Sequence, residues 1–138
     1  MTGQWLGAIL ISFPHPFSGE PASVACNFDW SITQQAAGRF SGQYRSSPGQ
    51  GSFFPLEYCS RTGSISGVAT RRGDVTEVRF DPAPGASDEC VALSQAALQG
   101  PLGGDYLTAN GNDRVRCQYG DGPITTPRVL HVDMNKLR

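Results

Sequence analysis

Apolar and polar residues alternate along much of this chain with a period of two, the pattern of a β-strand that has one face in a core. The alternation is clearest in residues 24–33. One face of that segment would carry Val24, Cys26, Phe28, Trp30 and Ile32. Residues 39–45 repeat the pattern with Phe40 and Tyr44. We therefore expect the two strands to pair as a hairpin with their aromatic rings on the same side.

The same pattern predicts strands over most of the remaining chain. They cover residues 5–13, 63–70, 75–80, 106–109, 115–119 and 128–134. The run Asn110-Gly111-Asn112-Asp113 predicts a tight turn before residue 115. Short strands separated by turn residues at this spacing are typical of a mostly β protein. We expect an antiparallel barrel of seven or eight strands, with a β-sandwich as the alternative.

One segment has the features of a helix instead. Ser87 is a suitable N-cap, and the two residues after it are acidic, which favours a first helical turn. Apolar residues then recur at helical spacing as far as Gly100-Pro101, which would end the helix. We predict one short helix near residues 87–99, within a single barrel-like domain that spans residues 1–138.

Charge and hydropathy exclude two classes of partner. The formal net charge is −1, so there is no basic surplus to neutralise a phosphate backbone, and we expect no nucleic acid. The longest apolar run, residues 5–11, is far shorter than the ~18 residues that a membrane-spanning helix needs. That run also lacks the basic region and cleavage site of a signal peptide, so we expect that a leader is absent from this chain.

The four cysteines indicate the compartment. None has C-x-x-C spacing and no histidine lies near them in sequence, so we predict disulfides rather than a metal site. An even number of cysteines suits a secreted or periplasmic protein, with buried thiols in a reduced core as the alternative. Three connectivities are open. We favour the connectivity whose two bonds close the shorter loops, Cys26–Cys59 and Cys90–Cys117.

Two short motifs carry a family resemblance. Gly3-Gln4-Trp5 and Phe40-Ser41-Gly42-Gln43-Tyr44 resemble the G-x-W and F-x-G-x-Y elements that open avidin-like barrels, within the lipocalin-related, calycin-type group. The resemblance covers the first third of the chain. It implies a barrel whose aromatic residues pack the floor and line a pocket for a small ligand. Since Trp5 and Trp30 are the only tryptophans, the later tryptophans that enclose biotin in that family have no counterpart here.

The segments GRFSGQY and GSISGV also resemble small bacterial secreted and lipoprotein β-domains. Many members of that group have no known activity. The resemblance therefore implies a compartment and a fold class more than a ligand.

A catalytic constellation is hard to assemble from these residues. The segment GSISG has isoleucine where the G-x-S-x-G elbow needs its serine, so it is not a nucleophile motif. His131 and Asp133 share one strand face and suit a base with its orienting carboxylate, or half a metal site. The alternative, a polar strand face in water, is the one we favour. We predict no catalytic residue, no metal and no cofactor, and hence not an enzyme.

Two binding hypotheses remain. In the first, the protein is a non-catalytic binding domain that holds a small apolar or aromatic ligand in the barrel. The candidate residues are Trp5, Phe28, Trp30, Phe40 and Tyr44. The same side chains can instead fill the interior of a small barrel.

In the second hypothesis the protein is a structural or protein-interaction module, such as a surface lipoprotein domain or a protease-inhibitor-like barrel. It would bind a partner, or a second copy of itself, through phenylalanines in its loops. These candidates are Phe13, Phe17, Phe53 and Phe54. Alternatively, the same rings fold over one end of the barrel as a plug.

Arginines supply one further candidate surface. Arg39 and Arg45 lie on one predicted strand, and Arg114 and Arg116 on another. If these strands are neighbours, the four side chains form a basic patch suited to an acidic ligand or a polysaccharide. The alternative is two separate strand faces in water.

Overall fold

The protein folds into one antiparallel sheet that closes on itself. A computed structural model describes residues 2–14, 18–48, 59, 61–69, 76–81, 90–93, 96–119 and 122–137. The strands are β1 (Gly3–Pro14), β2 (Pro21–Ala36), β3 (Arg39–Pro48), β4 (Arg61–Ala69), β5 (Thr76–Asp81), β6 (Cys90–Ala92), β7 (Ala96–Gly100), β8 (Leu102–Gly103), β9 (Tyr106–Tyr119) and β10 (Gly122–Lys136).

Eight of these strands form a closed ring. Neighbours in the sheet follow the chain order β1-β2-β3-β4-β5-β7-β9, and β10 pairs with both β9 and β1. This closure confirms the predicted antiparallel barrel and excludes the sandwich. The short β8 continues β7 along β9 in the same register, after Pro101. The short β6 pairs with the far half of β9, outside the ring.

The predicted helix near residues 87–99 is wrong. Strands β6 and β7 lie in that segment, and β7 pairs with β5 on one side and with β9 on the other. Leu98 is buried between the more exposed Ala97 and Gln99, which is the period of a strand. Helix propensity is a weak preference, and pairing on both edges overrides it here. Residues 87–89 and 94–95 of the predicted helix lie outside the described residues.

The predicted turn at Asn110-Gly111-Asn112-Asp113 is also wrong, because all four residues lie inside β9. Each of them pairs with a residue of β10, from His131 to Arg128. Gly111 allows β9 and β7 to approach each other closely and does not form a turn. A Cβ atom at this position would lie 2.1 Å from the carbonyl oxygen of Ala97 in β7.

The core fills the inside of the barrel. The inward positions alternate along every long strand, as predicted for residues 24–33. Trp5, Trp30 and Tyr44 are register neighbours on β1, β2 and β3 and form an aromatic row across the sheet. Opposite Phe40, the missing side chain of Gly67 leaves space for the ring, since a Cβ there would lie 2.4 Å from it.

A disulfide links β2 to Cys59, in the segment between β3 and β4. Cys26 in β2 is bonded to Cys59, as predicted, with 5.6 Å between their Cα atoms. Such a bond is compatible with an extracellular or periplasmic protein. Cys117 is disulfide-bonded as well, and the register of β6 against β9 places Cys90 directly opposite it. Within the described residues, no helix is long and apolar enough to cross a membrane.

Peptide mapping without reductant tests the second predicted pair. Trypsin cuts after Arg39, Arg45, Arg61, Arg79, Arg114, Arg116 and Arg128, which places the four cysteines on four separate peptides. We expect residues 80–114 to be recovered linked to residues 117–128, and residues 1–39 linked to residues 46–61. After reduction all four peptides should separate. A link between residues 1–39 and residues 117–128 would contradict the pairing.

Candidate functional site

The five aromatic candidates for ligand binding lie in the core. Their side chains are at most 3% exposed, and they contact one another. The ring of Phe28 stacks on that of Tyr44, with 5.4 Å between ring centroids, and meets Trp30 edge-on at 5.7 Å. Trp5 and Phe40 belong to the same buried cluster. These rings therefore occupy the space inside the barrel.

The four phenylalanine candidates are only partly described. Phe13, near the end of β1, is half-buried and packs against the core cluster. Phe17, Phe53 and Phe54 lie outside the described residues.

A concave region lies where two neighbouring strands separate. The pairing of β1 with β10 ends at Ser12 opposite Val129, whereas β10 continues to pair with β9 as far as Gly122. Strand β1 instead stays paired with β2 up to Pro14. The two hairpins diverge from this point, and a cleft of about 580 Å³ opens between them. We call this the seam cleft.

The seam cleft is mainly apolar. It is lined by Ser12, Phe13, Pro14, Gly19, Pro21, Ala22, Asn112, Asp113, Arg114, Pro127, Arg128 and Val129. Side chains from the outer face of the sheet, such as Val129, meet side chains from the inner face, such as Phe13, at this opening. The cleft therefore leads from the outer surface towards one end of the barrel interior.

Two prolines lie on β10 beyond the end of its pairing with β1. Strand β10 is paired with β9 along its length, and a proline nitrogen cannot donate to that ladder. The nitrogens of Pro123 and Pro127 therefore face the other edge of β10, beside the cleft. With these two N–H donors removed, the edge is a poor template for a further strand.

A buried ion pair forms the polar part of the cleft floor. Asp113 and Arg128 are register partners on β9 and β10, and both side chains point into the barrel. The Nε and Nη2 atoms of Arg128 donate to the two carboxylate oxygens of Asp113 at 2.7 and 2.6 Å. The two side chains are at most 1% exposed. The bidentate geometry satisfies both oxygens and makes the pair formally neutral.

The sequence analysis missed this pair, although the signal was present. Arg128 has the same strand parity as Leu130 and Val132, which are buried, and Asp113 has the parity of Val115 and Cys117. Two opposite charges on inward faces of neighbouring strands predict a buried pair. The predicted turn at residues 110–113 hid the parity of Asp113.

His131 and Asp133 do lie together on the outer face, as predicted. The Nε2 atom of His131 lies 2.8 Å from Oδ2 of Asp133, and its Nδ1 atom lies 2.6 Å from Oδ1 of Asn110. The Tyr106 hydroxyl donates to Oδ1 of Asp133 at 2.7 Å. Both ring nitrogens are engaged by side-chain oxygens, so in this arrangement the ring presents neither nitrogen to a substrate.

The hydrogen bonds of this cluster shift two pKa values. The bond from the Tyr106 hydroxyl, helped by that from His131, lowers the pKa of Asp133 against the opposing effect of desolvation. The same bond raises the pKa of Tyr106, because it stabilises the protonated phenol beside a carboxylate. Both shifts widen the pH range, which includes neutral pH, over which a protonated Tyr106 donates to an ionised Asp133. The arrangement fits a cross-strand ladder on the barrel surface.

The four arginines weighed as a basic patch lie on two separate strands, which is the alternative given for them. Arg39 and Arg45 lie on β3 and the other two arginines on β9, and three strands separate β3 from β9 in each direction around the ring. Arg45 is instead paired with Asp29 on the neighbouring strand, at 3.3 Å. Arg114 lines the seam cleft.

Comparisons with known proteins add no family. No protein-family model matches the chain, and a search of curated proteins finds no significant match. Within the described residues, no group of three or more histidine, cysteine or acidic side chains is placed to hold a metal ion.

Proposed function

We propose that the protein is a non-catalytic, secreted or periplasmic binding domain that takes a small, mainly apolar ligand in the seam cleft. The observation that carries this proposal is the cleft itself, a volume of about 580 Å³ with mostly apolar walls and a single buried ion pair at its floor. Small-molecule sites have this size and this combination of apolar walls with few polar groups.

The position of the site differs from the one that the sequence suggested. The aromatic candidates are buried in the core, whereas the ligand is proposed at the end of the β1–β10 seam, where a cleft opens. Small eight-stranded barrels either fill their interior with side chains or hold one ligand there. In this protein we propose that side chains fill the barrel interior and that the ligand binds in the seam cleft, where β1 and β10 separate.

Two further observations support the compartment and the class of fold. The Cys26–Cys59 disulfide favours a secreted or periplasmic home. The closed antiparallel barrel is the fold that the resemblance to avidin-like proteins implies, and that resemblance stays part of the proposal.

A neutral fluorescent probe tests the proposed site. We expect N-phenyl-1-naphthylamine to bind the protein with an increase in fluorescence. Replacing Ala22, which lines the cleft, with phenylalanine should fill the space and weaken binding by about tenfold or more. Ala25→Phe is the matched control, because Ala25 lies on the same strand but is exposed on the outer face. It should leave the affinity unchanged.

Two outcomes contradict the proposal. The first is no saturable binding of the probe by the folded protein. The second is equal loss of binding in Ala22→Phe and Ala25→Phe, which would place the probe elsewhere. Circular dichroism of both variants confirms that each keeps the sheet.

A further inference from the structure

The charges around the seam cleft are unbalanced. Asp113 and Arg128 neutralise one another at the floor. Among the described residues, Arg114 is the only other charged side chain that lines the cleft, and it lies on the outer face of β9. Its guanidinium makes no ion pair with any residue that the structure describes. The lining residues therefore carry a net charge of about one positive unit at the mouth.

The backbone of Arg114 is fixed on both sides. Its carbonyl oxygen accepts a hydrogen bond of 2.9 Å from the amide of Leu93, and its register partner on β10 is Pro127. A side chain on a strand paired at both edges starts from a defined position, which lowers the entropy lost when it binds. From this anchor the side chain of Arg114 lines the cleft.

We propose that the ligand of the seam cleft is a carboxylate-bearing amphiphile, an inference that rests on the proposed function. Its apolar body packs against Phe13, Ala22 and Pro127, and its carboxylate meets the guanidinium of Arg114. The planar fork of an arginine matches the two oxygens of a carboxylate. The neutral Asp113–Arg128 pair offers such a ligand no second charge, so the selectivity for an anion depends on Arg114.

One acidic residue lies near this mouth. Glu20 sits in the chain between Gly19 and Pro21, which line the cleft, but it is not itself a lining residue. It is exposed and makes no ion pair with a described residue. It therefore leaves Arg114 available to an anionic ligand.

Two probes with the same apolar body separate charge from shape. We compare 1-naphthaleneacetate with 1-naphthaleneacetamide by isothermal titration calorimetry on the full chain. We expect the carboxylate to bind about fivefold more tightly at low salt, since exposed ion pairs contribute modestly. Added salt should reduce the difference, because it screens exposed charges. Arg114→Gln should abolish the preference, because it lowers the affinity for the carboxylate more than the affinity for the amide.

Arg116→Gln is the matched control. Arg116 is exposed on the same face of β9, two residues further along, and does not line the cleft. It removes the same overall charge, and we expect it to keep most of the preference for the carboxylate. Equal loss in the two variants would show a general effect of net charge and would overturn the proposal.

The experiment also separates this inference from the proposed function. If both probes bind with equal affinity and Ala22→Phe weakens both, the cleft is a binding site but the assignment of a carboxylate fails. If neither probe binds, the proposed function fails, and the inference with it.

Discussion

Replacing Asp113 with leucine is expected to lower the free energy of unfolding by about 3–5 kcal/mol. The substitution leaves the guanidinium of Arg128 inside the barrel without the two carboxylate oxygens that accept its hydrogen bonds. The Arg128 side chain is only 1% exposed, so most of its hydration is lost and the missing oxygens are poorly replaced. Equilibrium unfolding in urea measures the loss.

An exposed pair provides the control for this prediction. Asp29→Leu breaks the ion pair with Arg45, whose side chain is 71% exposed, and should cost about 1 kcal/mol or less. The double variant Asp113→Leu/Arg128→Met should regain most of the stability lost in Asp113→Leu, because apolar residues often replace a buried pair at little cost. Equal losses for Asp113→Leu and Asp29→Leu would contradict the burial of the pair.

The double variant also separates stability from binding. A buried ion pair is weak evidence for stability, and apolar residues in its place would enlarge the apolar floor of the seam cleft. If the pair orients a polar group of the ligand, the stable double variant should lose affinity while it keeps its fold. The pair would then be retained for recognition rather than for the strength of the barrel.

The sequence predicted the faces of the strands well because burial on one side of a sheet enforces a strict period of two. Trp5, Trp30 and Tyr44 could be assigned to the interior from parity alone. The eight-stranded closure was also within reach, since strands joined by short turns pair with their neighbours in the chain.

Local signals failed where pairing on both edges outweighed them. Asn110-Gly111 is a strong turn signal in isolation, yet β9 gains partners along both edges by passing straight through it. The residues before Pro101 favour a helix, yet they complete the ring between β5 and β9. Local propensities are small compared with the free-energy cost of leaving a barrel edge unpaired.

The seam cleft was beyond sequence analysis for another reason. Phe13 and Pro127 line the same opening, although more than a hundred residues separate them in the chain. The cleft opens where β1 and β10 stop pairing, at Ser12 and Val129. The point at which two strands stop pairing produces no hydrophobic pattern in the sequence of either strand. The prolines at residues 123 and 127 were the available clue, because prolines within a strand mark an open edge.

Replacing Trp30 with alanine is the prediction that separates a filled barrel from a hollow one. The side chain is 0% exposed and packs beside Phe28, Trp5 and Tyr44. Its removal should leave a cavity and cost about 3–5 kcal/mol, a large part of the ~5–15 kcal/mol that stabilises a typical domain. Urea unfolding at low temperature measures the change, and Trp30→Phe gives a smaller cavity if the alanine variant does not fold.

Leu6→Ala is the control, since Leu6 lies one residue from Trp5 on the opposite face of β1 and is 41% exposed. It should change the free energy of unfolding by well under the cost of Trp30→Ala. Trp30→Phe should also leave the affinity for N-phenyl-1-naphthylamine unchanged, because the probe is expected in the seam cleft. Loss of binding with little loss of stability would instead place the ligand among the core aromatics. That result would favour a hollow barrel in which the ligand contacts Trp30 directly.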